Sequence, residues 1–323
     1  MTISRLLAPV EEDLKRVEDF ILFNLNTEIP LLNEVGQYIL KSGGKRLRPA
    51  LLMISARMFQ FPGEGAHQAA GAIEFLHTAT LLHDDVVDDA DVRRSRRAAR
   101  TIWGNSASVL VGDYLLATAF RSLTQLGDLT VLNIISHTTS MMAKGEILQL
   151  IRRFDTATEA DYLDIIIHKT ACLFAAAAQI GGILAGAEPE QQEALYKFGH
   201  ELGIAFQIVD DALDYAQDRE RVGKPLGVDL KERKVTLPLS RLMSVTKGAE
   251  QTKLKAILAK EAIEDDDVLA VVEMMAGHGV LAHTLDEASR YVELSKSHLA
   301  MLPDLPERRT LEGLADYVVE RDF

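Results

Sequence analysis

The 323-residue chain is predicted to fold as an all-α protein, on three observations. Its apolar residues recur mostly at helical spacing, stretches alternating at the strand period are scarce, and the breaks between apolar runs are short and carry turn chemistry. The first run, Leu40, Leu47, Leu51 and Leu52, is interrupted by Ser42-Gly43-Gly44. The second, Ile73, Leu76, Ala79, Leu81 and Leu82, follows the turn at Phe61-Pro62-Gly63, and the third, Val109, Leu110, Leu115 and Leu116, ends before Gly127-Asp128. Ala171 to Ala187 is the longest uncharged stretch, rich in Ala and Gly; with Gln179 inside it and fewer than the roughly 20 residues a spanning helix needs, it reads as a tightly packed core helix. After Glu188-Pro189 comes the apolar run Leu202 to Val209, and Gly223-Lys224-Pro225 and Leu302-Pro303-Asp304 mark later turns.

Composition narrows the function. A hydrophobic content of 47% is ample for a core, and nine prolines with no Ser- or Gly-rich linker predict a single domain over residues 1–323. A net charge of −13 argues against nucleic acid and against electrostatic docking on anionic lipid. The single cysteine, Cys172, excludes an internal disulfide framework and a Cys-based zinc site, and fits a reducing compartment. Met1 to Lys15 carries Glu11, Glu12 and Asp13 and no export signal, so a cytoplasmic location is expected.

The chemistry is written in two acidic clusters of one form, Asp84-Asp85-Val86-Val87-Asp88 and Asp210-Asp211-Ala212-Leu213-Asp214. On a helix the first and fifth residues lie one turn apart on one face, so Asp84 and Asp88, and likewise Asp210 and Asp214, aim at a common spot. Each cluster follows an apolar helix run, near the C-terminal end where the macrodipole also disfavours negative charge. One such cluster alone reads equally well as a solvated acidic patch. Two facing each other across a bundle cavity would hold several cations, and all-oxygen ligation suits Mg²⁺ or Ca²⁺.

Metals bracketed by acids need an anion, and diphosphate is the natural candidate. Gly43-Gly44-Lys45-Arg46-Leu47-Arg48-Pro49 places a Gly pair before three cations, the form of a phosphate cradle and also of many surface loops. Of the arginines at 93, 94, 96, 97 and 100, Arg93 and Arg94 are read as clamps and Arg96, Arg97 and Arg100 as facing solvent. Lys169-Thr170, Lys224, Lys231 and Lys234 add further cations, each equally readable as an exposed residue. His77 sits two turns before Asp84 on the same face, as a ligand or as a core histidine. No Ser/His/Asp arrangement, Walker-type loop or dinucleotide fingerprint is present, which excludes kinase and dehydrogenase readings. Diphosphate, divalent metal and an apolar helical cavity together point to diphosphate leaving from carbon, with the resulting cation sheltered from water.

These segments resemble the trans-type polyprenyl diphosphate synthase family over nearly the whole length. The matching pieces are Gly43 to Pro49, Glu74 to Asp88, Gly112-Asp113-Tyr114-Leu115, Lys169-Thr170, Phe206 to Tyr215 and Lys234 to Leu239. The resemblance is greatest to the long-chain, octaprenyl-type bacterial synthases that make quinone tails. It implies a single large helical bundle of the isoprenoid synthase type I fold with a central apolar cavity. It implies that Asp84, Asp88 and Asp210 bind two to three Mg²⁺ ions, with Mn²⁺ as a substitute, supported by Asp85, Asp211 and Asp214. Arg93, Lys169, Gln207, Lys224 and Lys234 would hold the allylic diphosphate, Lys45, Arg48, His77 and Arg94 would hold isopentenyl diphosphate, and Thr170 would be a further substrate contact. The implied product is octaprenyl diphosphate, with solanesyl or decaprenyl as neighbours, made by a homodimer without membrane insertion that contacts a membrane peripherally to release product.

In the family, the residue five before the first Asp limits chain growth. Here it is Ala79, with Thr80 beside it and Phe75 a turn deeper, so no aromatic plug is expected at that level and a long product follows. Two departures stand out: Ser95 and Arg233 occupy positions where the family usually has Gly, and Arg233 adds bulk and charge next to Lys234. Other readings are a shorter-chain synthase, a terpene cyclase, the silent subunit of a two-component synthase, and an acidic Ca²⁺-binding scaffold. The repeated Asp motif disfavours the cyclase, retention of both clusters disfavours the silent subunit, and the scaffold leaves the basic residues unexplained.

Overall fold

The computed structural model describes residues 2–41, 44–60, 63–93, 96–152, 154–216 and 226–320. Helix α1 (Ile3–Leu7) and a 3-10 turn (Ala8–Val10) lead into α2 (Glu11–Leu25), α3 (Pro30–Lys41), α4 (Leu47–Met58) and α5 (Gly65–Val87). A hairpin of two-residue strands follows, β1 (Val92–Arg93) antiparallel to β2 (Arg96–Arg97), with Val92 opposite Arg97. Then come α6 (Ala99–Trp103), α7 (Asn105–Leu126), α8 (Leu129–Ile151), α9 (Glu159–Ile166), a π-helical turn (Ile167–Ala171), α10 (Cys172–Leu184) and α11 (Pro189–Leu213). The chain continues through α12 (Val228–Lys231), α13 (Leu237–Val245), α14 (Gly248–Leu258), α15 (Asp265–Gly277), α16 (Val280–His298), a 3-10 turn (Leu299–Met301) and α17 (Pro306–Glu320). The all-α expectation holds, and the hairpin is the only sheet among the described residues.

The chain groups into two compact units. The first comprises Met1–Thr139, Leu173–Gly199 and His298–Leu314. Its centre is α5, on which six consecutive residues, Gly71 to Leu76, are buried; a helix covered on all sides needs no amphipathic stripe. Helix α2 shows the stripe in its ordinary form. Glu11, Glu12 and Asp13 occupy its first turn, where the helix dipole favours them, and Val17, Ile21 and Leu25 recur at four-residue spacing on the buried face. In the third apolar run Leu115 is buried, whereas Val109 and Leu110 are exposed.

The predicted core helix is α10, and its small residues act as expected. A Cβ at Gly181 would lie 2.3 Å from the Leu52 carbonyl oxygen and 2.7 Å from the Ser55 Cβ of α4, so any larger residue would push the two backbones apart. Counted through the π turn, Glu159–Leu184 is a 26-residue helical segment, longer than its uncharged part and apolar enough by length and composition to cross a membrane. Of its most apolar window 67% is buried inside the protein, which suits a core helix.

The second unit comprises Ser140–Cys172, His200–Ser297 and Ala315–Phe323. Two of its helices start on reciprocal caps. Thr158 Oγ1 accepts from the Asp161 N–H at 3.2 Å while the Thr158 N–H donates to Asp161 Oδ2 at 3.0 Å, and Glu264 and Asp267 repeat the arrangement at α15. Such boxes satisfy helix N–H groups that have no partner within the helix.

Candidate active site

In the first unit α5 delivers the first aspartate cluster at its C-terminal end. The Asp88 N–H donates to the Asp84 carbonyl at 2.8 Å, so the helical turn runs through the cluster and sets Asp84 and Asp88 on one face. Asp84 is buried and Asp88 half-buried. Asp85 is buried too, with its carboxylate 4% exposed and held by the Arg93 Nε of β1. Burial pushes the Asp85 carboxyl above the usual range; Arg93 opposes this, and Asp84 and Asp88 add to it. Arg93, which the resemblance assigns to substrate, pairs here with Asp85. Arg94, Ser95, Gly43 and Lys224 lie outside the described residues.

Arg96 and Arg97 are exposed, as expected. Arg100 is not, and this corrects its assignment to solvent. Its side chain is 13% exposed, donating to the Ala90 carbonyl at 2.7 Å and pairing with Asp89 at 2.7 Å and Asp91 at 3.0 Å. Residues 89–91 immediately follow the cluster, so Arg100 neutralises and fastens the acidic loop that leaves α5. Sequence could not show this, because an arginine among five looks interchangeable until the loop folds back on it.

The basic segment leads into α4, with Arg46 at its N-cap and Arg48 in its first turn. Lys45 is exposed, Arg46 adopts a left-handed conformation, and the Arg48 guanidinium lies 4.5 Å from the centroid of the buried Phe174 ring of α10. His77 is half-buried. Ala79 and Phe75 are both buried, and the Thr80 hydroxyl donates to the His77 carbonyl at 2.9 Å. Phe75 meets Phe20 of α2 with ring centroids 6.4 Å apart. A cavity of ≈ 20 Å³ lies beside Asp85, Arg93, Tyr38 and Leu81. It has room for about one water and so is not the product tunnel expected below Ala79.

In the second unit α11 delivers the other cluster. Asp210 is exposed, Asp211 buried and Asp214 half-buried. A relay of hydrogen bonds leads into it: Thr170 Oγ1 donates to Gln207 Oε1 at 2.9 Å, and Gln207 Nε2 donates to Asp211 Oδ1 at 2.8 Å. Asp214 Oδ2, just past α11, accepts the Asp229 N–H of α12 at 2.9 Å. Burial pushes the Asp211 carboxyl well above its usual range, the nearby Asp229 adds to it, and the hydrogen bond from Gln207 opposes it. The fully buried Tyr162 hydroxyl, raised by burial and then by Asp211, faces that carboxylate without closing a hydrogen bond of standard geometry. Negative charge thus gathers around the poorly solvated Asp211, and a divalent cation beside it would relieve both the burial and the repulsion.

Lys169 and Thr170 sit on the π-helical turn between α9 and α10. Such turns widen the helix by a residue and recur at functional sites. Helix α8 comes close to this one: a Cβ at Gly145 would lie 2.6 Å from the Lys169 backbone nitrogen. The next residue, Glu146, pairs with Lys169 Nζ at 2.6 Å, and Gln149 accepts from it at 3.3 Å. Lys234 Nζ lies 2.5 Å from Glu232 and 4.0 Å from Asp229. Glu146, Gln149, Asp229 and Tyr162 escaped sequence reasoning. Glu146 and Gln149 share a helix face at three-residue spacing, but nothing local connects them to a lysine twenty positions on.

Among the described residues no three His, Cys, Asp or Glu side chains are gathered into a ready-made metal site. The donors are nevertheless of the right kind, carboxylates in pairs at one-turn spacing, which fit a hard cation completed by other oxygen ligands.

Comparison with known proteins agrees with the geometry. The Polyprenyl synthetase family matches residues 29–275, spanning both aspartate clusters. The octaprenyl diphosphate synthase of Escherichia coli (strain K12) is 42% identical over 327 aligned residues, covering 100% of each chain. Among solved structures, a decaprenyl diphosphate synthase from Rhodobacter capsulatus superposes with a TM-score of 0.93 at 41% identity, covering 99% of each chain. A polyprenyl synthase from Caulobacter crescentus CB15, complexed with calcium and isoprenyl diphosphate, gives 0.95 at 38% identity, covering 99% of this chain and 98% of that one. Matches of this length and identity, on a chain with both clusters in place, show that it belongs to the polyprenyl synthetase family.

Proposed function

We propose that the chain is a long-chain trans-prenyltransferase that condenses isopentenyl diphosphate with an allylic prenyl diphosphate, head to tail, and repeats the step to octaprenyl length. The observation that carries this reading is the full-length, 42% match to an octaprenyl diphosphate synthase by a chain that keeps both aspartate clusters. A synthase from Caulobacter that resembles it throughout was crystallised with calcium and isoprenyl diphosphate, which supports a divalent cation and a diphosphate here. The proposed resident ion is Mg²⁺, held by Asp84, Asp88 and Asp210, and when bound it would supply charge neutralisation of the departing diphosphate. We treat residues 1–323 as one catalytic domain, because the family match draws on both units.

The chain's own residues do the rest. Lys169, Thr170, Gln207 and Lys234 orient the allylic diphosphate, and Lys45, Arg48 and His77 orient the isopentenyl group. The allylic C1–O bond breaks with both electrons leaving on diphosphate. The isopentenyl double bond then supplies the pair for the new C–C bond, and a proton is lost to the released diphosphate, restoring an allylic double bond. Cations fixed before reaction stabilise the charge as it develops, which is where electrostatic catalysis acts. A homodimer and a cytoplasmic location with peripheral membrane contact complete the proposal.

The test is to incubate purified protein with Mg²⁺, isopentenyl diphosphate and farnesyl diphosphate and to weigh the products. Octaprenyl diphosphate is expected. Products no longer than geranylgeranyl diphosphate would make it a short-chain synthase, and no pyrophosphate release at all would make it a silent subunit.

A further inference from the structure

Arg46 is the one cation of the basic segment to which no substrate is assigned, and its backbone is unusual. It caps α4 with φ 49° and ψ 35°, a left-handed conformation disfavoured for any residue carrying a Cβ. Such a bend persists where its surroundings hold it. Here the holder is Glu74 of α5, whose Oε1 accepts from Arg46 Nη1. The Glu74 side chain is 7% exposed, and a carboxylate buried there without a cationic partner would be costly.

The placement gives the pair a use. Lys45 immediately precedes the bend and Arg48 follows it by two residues, while Glu74 stands three residues before His77 on α5, within one helical turn. We propose that the Arg46–Glu74 ion pair is a positioning device for the isopentenyl diphosphate subsite: it locks the left-handed bend and holds Lys45 and Arg48 in register with His77. The inference rests on the function proposed above. Arg46 and Glu74 act through those three residues and need touch no substrate themselves, so their loss acts on one substrate and not on the other.

The experiment uses the full-length enzyme as Glu74→Gln, Arg46→Gly and the double variant. Glu74→Gln keeps the volume and removes the buried carboxylate charge, and Arg46→Gly accepts the left-handed backbone while removing the tie. Each single variant is expected to raise KM for isopentenyl diphosphate about tenfold, with the double variant no worse than either, as coupled partners behave. KM for farnesyl diphosphate and kcat are expected to stay within about twofold of wild type. A parallel urea-unfolding cycle reads the pair without reference to catalysis and should show the same non-additivity. Elongation by the wild type is measured first, and its failure would remove the proposed function itself. With an active wild type, an unchanged KM for isopentenyl diphosphate, an equal loss for both substrates, or additive effects would overturn the positioning role.

Discussion

Arg233 sits at a position where glycine is usual in the family, and its φ of 59° gives the reason: the chain takes a left-handed turn there. The side chain does not crowd Lys234. It reaches the end of α14, donating to the Glu261 carbonyl at 3.1 Å and to that of Lys260, and its guanidinium lies 5.2 Å from the Phe154 ring centroid. Strain in the backbone is thus offset by satisfying carbonyls just past the helix, and that of Leu258 at its end at 3.4 Å. Arg233→Ala, which loses the contacts and keeps the strain, should lower urea stability by about 1 kcal/mol. Arg233→Gly should lose less, since it relieves the left-handed turn. Equal stability of all three proteins would contradict this account. The aspartate pairs were legible at this scale because their spacing alone puts them on one face. Asp229 was not, since only the fold brings it beside Asp211.

Between elements, Asp13 fastens three helices at once. From α2 it accepts Arg57 of α4 at 2.7 Å and meets His67 of α5 at 3.0 Å. Burial alone would raise its carboxyl, but the hydrogen bonds from Arg57 and His67 outweigh burial and hold it below the usual range. A depressed carboxyl contributes stability that is present above the unfolded-state value, about 3.9, and is lost as pH falls through the lower folded value. Wild type should therefore lose stability steeply below about pH 4, whereas Asp13→Asn should be less stable by about 1–2 kcal/mol at pH 7 and should lose part of that acid dependence. Urea midpoints at several pH values check it, and parallel curves for the two proteins would contradict it. The long helices were legible from apolar spacing, whereas the π turn at Ile167–Ala171 and the two-residue strands were not. Each is too short to impose a period, and the turn is supported from outside by the close approach of Gly145.

Across the whole molecule, the proposed long product requires room for an apolar chain to extend past small residues. Ala79 is buried one turn below the first cluster, and Phe75, backed by Phe20, lies a turn further down. Ala79→Phe should shorten the prenyl products, seen by chromatography of labelled products, and an unchanged product length would remove the tunnel from the account. The all-α class and both clusters could be read from the sequence because they depend on local period and spacing. The counter-ions could not: Arg93 for Asp85, Glu146 for Lys169 and Glu74 for Arg46 are pairings between elements. In the proposed reaction, diphosphate departure requires a cation whose binding depends on aspartates of both clusters. That dependence is tested most directly by counting Mn²⁺ bound in the presence of inorganic pyrophosphate, by electron paramagnetic resonance, for wild type, Asp84→Asn and Asp210→Asn. Tight Mn²⁺ binding by wild type is expected, with its loss in each variant and helical content intact; equal Mn²⁺ binding by all three proteins would contradict the proposed site.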